Sequence, residues 1–144
     1  MIYMKNIKDI LKQEGDYHQW LYTAKNGLQI DCFIKRNHTL ALCGYVIITP
    51  DNELYGLDYD DMYQRLTVSV HGGLTYSNKD KHGWIVGFDC AHDGDFCPAF
   101  PYFGGIYRTK EFVICECEKL AEDVSNFSRI IKRLKNIESV IGKN

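Results

Sequence analysis

The stretch LQIDCFIKRNHTLALCGYVIIT, residues 28–49, decides the fold class. Leu28, Ile30, Cys32 and Ile34 alternate with Gln29, Asp31, Phe33 and Lys35. Successive side chains of a strand point to opposite faces, so residues 28–35 are predicted to form a strand with one buried face. Arg36-Asn37-His38 turns the chain, and residues 39–49 are nearly all apolar or β-branched. They predict a central strand, with Gly44 marking a bulge or a close approach by a neighbour. Pro50-Asp51-Asn52 ends it.

Working outward from this pair, Trp20–Thr23 reads as another strand, joined to it by the Lys25-Asn26-Gly27 turn. Residues 1–16 carry Ile7, Ile10 and Leu11 at helix spacing, with Gly15 as a stop. Further on, residues 65–77 and 84–90 alternate and predict two more strands. A helix is predicted over residues 108–136, with Thr109 as its N-cap. Phe112, Leu120, Ala121 and Val124 lie on its apolar face, and Phe127, Ile130, Ile131, Leu134 and Ile137 follow a break at Ser125-Asn126. The pattern predicts an α+β fold, an antiparallel sheet with a C-terminal helix and a short N-terminal helix packed on it. Residues 1–144 form a single domain, with 1–16 an N-terminal helical extension and 126–144 a basic C-terminal one.

Composition narrows the function by exclusion. The chain has 17 basic and 19 acidic residues for a formal charge of -2, which argues against a protein built to grip nucleic-acid backbone. No apolar run is long enough to span a membrane. MIYMKNIKDILKQEG is too polar for a signal peptide, so the expected location is the cytoplasm. The six cysteines, Cys32, Cys43, Cys90, Cys97, Cys115 and Cys117, are then expected to be reduced, mostly as small buried hydrophobes. Cys90, His92 and Cys97 match no common zinc spacing. No metal is expected on that ground, no cofactor is expected since phosphate-loop and dinucleotide signatures are missing, and the missing G-x-S-x-G argues against an α/β-hydrolase.

The unusual chemistry lies in residues 70–107, which hold seven of the twelve glycines. Pairing Tyr76 with Trp84 makes opposed residue numbers sum to 160. Leu74 then faces Val86, and Val70 faces Cys90. On the other face His71 falls opposite Asp89, and Gly73 opposite Gly87, with Thr75 nearby. Two facing glycines would leave a bare floor on which a ligand could lie, and Gly87 would accept Val without loss of the fold. The alternative is that the glycines serve a bulge or let an aromatic ring pack flat. Directly after comes Asp89-Cys90-Ala91-His92-Asp93-Gly94-Asp95. Carboxylates beside an imidazole can supply a general acid and base or bind a cation. The same residues also suit a polar loop. The candidate ligand-binding residues are His71, Gly73, Thr75, Gly87, Asp89, His92 and Asp95. The acidic stretch 51–63 lacks the calcium-loop order and reads as a solvated loop with a helical turn. Lys132, Arg133 and Lys135 read as a solvated helix face.

Leu42-Cys43-Gly44-Tyr45-Val46, His71-Gly72-Gly73-Leu74-Thr75-Tyr76-Ser77, Gly87-Phe88-Asp89-Cys90-Ala91-His92 with Gly94-Asp95, and Tyr107-Arg108 before the helix occur in this order. They resemble a family of small bacteriophage and prophage proteins, over about residues 20–124. The resemblance implies phage origin and action inside the infected bacterium. It transfers no catalytic residue. By analogy with small accessory phage proteins, the expected role is to counter host defence by binding a small nucleotide-like ligand. Two alternatives stand beside it. One is a small hydrolase, with or without a metal, using His71, Asp89, His92 and Asp95. The other is a direct inhibitor that covers a host defence nuclease with the 51–63 surface. Self-association is left open.

Overall fold

The computed structural model describes residues 2–142. The alternating stretches become β1 (Tyr17–Thr23), β2 (Gln29–Arg36), β3 (Leu42–Ile48), β4 (Tyr76–Asp80) and β5 (Gly83–Asp89). They form one sheet in the order β1-β2-β3-β5-β4, with every neighbouring pair antiparallel. The helices are α1 (Ile2–Glu14), α2 (Tyr59–Arg65), α3 (Lys110–Ser125) and α4 (Arg129–Gly142). The fold is thus α+β, as the period of the apolar residues implies. Among the described residues no helix is long and apolar enough to cross a membrane.

The core lies between the sheet and α3. Ile30, Cys32 and Ile34 of β2 and Val46 and Ile48 of β3 point inward. Val113, Cys117, Leu120, Ala121 and Val124 of α3 meet them at helical spacing. The helix starts where Thr109 accepts a hydrogen bond from the Phe112 N–H at 3.2 Å. Gly44 is the close-approach glycine. A Cβ there would sit 2.5 Å from the Cys117 sulfur and 2.6 Å from the Phe88 ring, so only glycine lets α3 come this near β3. Leu120 is fully buried. Leu120→Ala is expected to cost about 2–5 kcal/mol, measured by urea unfolding. A loss under about 1 kcal/mol would mean that the core does not rest on α3. Phe112 is only half-buried, because its ring faces the candidate site.

The expected strand over 65–77 is the main correction. Residues 59–65 are helical, and the strand begins only at Tyr76. Between them α3 takes the backbone donors that a strand would give its neighbour. Asp123 accepts the N–H groups of Thr67 at 2.7 Å and Val68 at 3.3 Å, and Glu116 accepts that of His71 at 2.8 Å. Gly72 and Gly73 then turn through φ 69° and 80°, a region that suits glycine. The hairpin register moves accordingly. Tyr76 lies opposite Gly87 and Lys79 opposite Trp84, so paired numbers sum to 163. A slip of three is odd, and it puts Tyr76 on the outer face instead of the core face. Trp84, Val86 and Phe88 of β5 keep the inward face expected for them.

The N-terminal helix and the turn before α2 are tied to the rest of the fold. Ile7 of α1 is buried against Phe96 and Tyr107. Arg36, at the end of β2, donates to Glu14 at 3.0 Å, Tyr107 at 2.9 Å and the Gly15 and Leu40 carbonyls at 3.1 and 3.0 Å. Glu14 also accepts the N–H of Lys110 at 2.7 Å, which ties α1 to the first turn of α3. The acidic 51–63 stretch forms turns and α2. It is not wholly solvated, because Leu54 and Met62 are fully buried. Asn52 donates to the Val124 carbonyl at 2.9 Å, satisfying an end of α3.

Candidate functional site

Asp95 organises the site. It sits in the loop after β5, and its carboxylate is 1% exposed. Gly94 and Asp95 pair with Ile106 across this loop: the Ile106 N–H donates to Gly94 at 2.8 Å, and the Phe96 N–H donates to Ile106 at 2.8 Å. Gly105 permits that closure, since a Cβ would stand 2.7 Å from the Asp95 backbone. The carboxylate accepts from His71 Nε2 at 2.8 and 2.9 Å, from Arg108 Nε at 2.9 Å and from the His92 N–H at 3.1 Å. Burial alone would raise the Asp95 pKa. The His71 and Arg108 hydrogen bonds, with that of the His92 N–H, outweigh it and hold the carboxyl below the usual range. An ionised carboxylate only accepts, so His71 Nε2 carries a proton. In the neutral ring Nδ1 is then an acceptor, which is the tautomer a general base needs.

The remaining polar groups surround this pair. The His71 ring stands edge-on to Phe112 at 5.4 Å and to His92 at 6.0 Å. Arg108 lies over Phe112 at 5.1 Å. Asp89, at the end of β5, accepts from Thr75 at 3.1 Å and from the Ala91 N–H at 3.0 Å. His92 Nε2 is 3.2 Å from Asp89 but out of line for a hydrogen bond, and it is buried with no bonded partner. The His92 ring rests on Gly72, where a Cβ would lie 2.2 Å from the ring.

A cavity of about 380 Å³ opens beside this centre. His92, Asp93 and Asp95 line it together with Cys97, Phe100 and Phe103. The Ala99 N–H donates to the Thr39 carbonyl at 3.0 Å, which fastens the loop carrying both phenylalanines to the β2–β3 turn. Phe103 is 79% exposed, so its ring is available to a ligand. The volume falls in the range of small-molecule sites.

The structure redistributes the expected site residues. His71 pairs with Asp95 and not with Asp89, because residue 71 lies in the loop held by Glu116 and not on a strand. Asp89, Thr75 and His92 come together as a second group. The glycine floor does not form. Gly73 lies in a turn with open space at its Cβ position. Gly87 lies under an aromatic ring, since a Cβ there would be 2.4 Å from the Tyr45 ring and 2.5 Å from the Gly44 carbonyl. Gly87→Val is therefore expected to cost about 1–3 kcal/mol by overpacking. An unchanged urea midpoint would show that Tyr45 gives way freely. Sequence reasoning missed Arg108 and Glu116 as parts of the site. The available signals were Arg108 just before the N-cap and Glu116 one turn beyond Phe112 on the same helix face.

All six thiols are free, and Cys32, Cys43, Cys90 and Cys117 are buried. Burial pushes the Cys32 thiol up to about 12. Among the described residues no group of three or more His, Cys, Asp or Glu side chains is placed to hold a metal ion. No family model matches the chain, and neither do curated proteins or solved structures.

Proposed function

We propose that this is a phage accessory protein that counters host defence by binding a small nucleotide-like ligand, with the nucleoside part in the cavity beside Asp95. The observation that carries the reading is one cavity lined by two phenylalanines and by Asp93, Asp95 and His92. Phe100 and Phe103 offer ring faces or edges to a base. The exposed Asp93 carboxylate accepts hydrogen bonds from ribose hydroxyls or exocyclic amines and repels phosphate, whereas that of Asp95 is already taken up by His71, Arg108 and the His92 N–H. The phosphate therefore lies outward of Asp93. The resemblance to phage and prophage proteins supplies the biological setting. Calorimetric titration with a panel of nucleosides and their monophosphates tests the reading. Base–aromatic stacking is worth about 1–3 kcal/mol per base, so Phe103→Ala is expected to weaken binding by roughly 5- to 100-fold without unfolding the protein. Absence of binding by every member of the panel would refute it.

One observation favours a second reading. A buried carboxylate that fixes the tautomer of a partly open imidazole is the arrangement of a general base. His71 does not line the cavity, so a hydrolase using His71 and Asp95 would act on a part of the nucleotide that reaches beyond it, and His71→Ala would abolish turnover while binding persists.

A further inference from the structure

Only the first turn of α4 touches the domain. Ile131 is buried, and Lys132 pairs with Glu53 at 2.6 Å. From Arg133 to Gly142 every residue is exposed. At about 1.5 Å per residue the projecting part runs roughly 15 Å. A free helix of that length is marginal in water, so an apolar stripe along it calls for a covering surface.

The stripe has a strict spacing. Phe127, Ile130, Leu134, Ile137 and Ile141 recur three and four residues apart, the a and d positions of a heptad. At about 100° per residue the four on α4 fall within an arc of roughly 60°. Val140, 65% exposed at a g position, extends the apolar arc to roughly 120°, so the charges beside the seam and not its width decide what covers it. Ile130, Leu134, Ile137 and Ile141 are 50%, 51%, 54% and 68% exposed.

The charges beside the seam identify what covers it. Arg133 occupies a g position and Glu138 an e position. In parallel coiled coils a g residue meets the e residue five places further along the neighbouring helix, and these two are five places apart. An antiparallel pair would bring like charges together, Arg133 with its own copy and Glu138 with its own. We propose that α4 joins copies of this chain in a parallel coiled coil through Ile130, Leu134, Ile137 and Ile141, with Arg133 paired to Glu138 of the partner subunit. Leu at a with Ile at d favours three or four strands over two.

Sedimentation equilibrium of the intact protein over a wide concentration range tests this. The expected mass rises toward about two to four chains. Leu134→Asp and Ile137→Asp are each expected to leave a monomer with an unchanged near-ultraviolet dichroism spectrum, since both positions are exposed. Arg133→Glu should weaken association severalfold, and adding Glu138→Arg should restore it. A wild-type monomer at every concentration would overturn the proposal, as would association that survives Leu134→Asp. Failure of the double charge swap to restore association would overturn the parallel register. Flotation of a monomeric wild type with phosphatidylserine vesicles would assign the stripe to a membrane surface instead.

Discussion

Asp95→Ala is expected to cost about 3–5 kcal/mol of stability and to open the site. The carboxylate is almost wholly shielded from water and accepts from His71, Arg108 and the His92 N–H. Removing it leaves a guanidinium and an imidazole facing a cavity with no counter-charge. It also frees the loop whose backbone closes on Ile106. Asp95→Asn keeps the shape and removes the charge, so it should cost less. The pH dependence has a definite sign. The Asp95 pKa is lowered in the folded protein, so its contribution is fully present above the ordinary carboxylate value near 4 and is lost as pH falls through the lower folded value. Urea midpoints measured from neutral to acid pH should therefore fall on acidification in the wild type. Asp95→Asn should flatten part of that decline. An Asp95→Ala protein as stable as the wild type would show that the network contributes nothing.

Arg36→Ala is expected to cost a similar amount, about 3–5 kcal/mol. The Arg36 side chain is 4% exposed and its partner Glu14 10% exposed. Truncation strands the Glu14 carboxylate among Tyr107, Lys110 and the end of α1. The Tyr107 hydroxyl still donates to Glu14, but burial and that hydrogen bond push its pKa up, so it stays a neutral donor and does not replace the lost positive charge. Hydrogen exchange should report faster opening of α1 in the variant, alongside the lower urea midpoint. Unaltered protection of α1 would mean that Ile7 packing alone holds that helix.

The sheet was legible wherever one period and one buried face ran together. Ile30, Cys32 and Ile34 against Val46 and Ile48 is such a case, and so is Trp84 with Val86 and Phe88. Gly44 was legible as a close approach, though its neighbour, Cys117, lies far along the chain. The stretch 66–75 misled because its alternation is real but its backbone is not free to pair. The groups that capture it, Glu116 and Asp123, are 45 and 56 residues away, beyond the reach of any local period. The chemistry was legible as residue types and not as partners. His71, Asp89, His92 and Asp95 do gather at one end of the sheet, but which carboxylate meets which imidazole depends on a register that the loop resets. Arg108 and the aromatic wall of the cavity depend on how the loop after β5 closes on Ile106, a contact set by glycine geometry at residue 105.

On the proposed function, the cavity beside Asp95 holds a nucleotide-like small molecule. Native mass spectrometry of the protein, purified gently from infected and uninfected bacterial cells, tests it most directly. The expected spectrum of the wild type shows added small-molecule mass in the infected sample. That mass is released on unfolding and missing from Phe103→Ala purified in parallel. A wild-type protein at its bare polypeptide mass in both samples, which also takes up no nucleoside or nucleotide when these are added, would show that the cavity is not a nucleotide site.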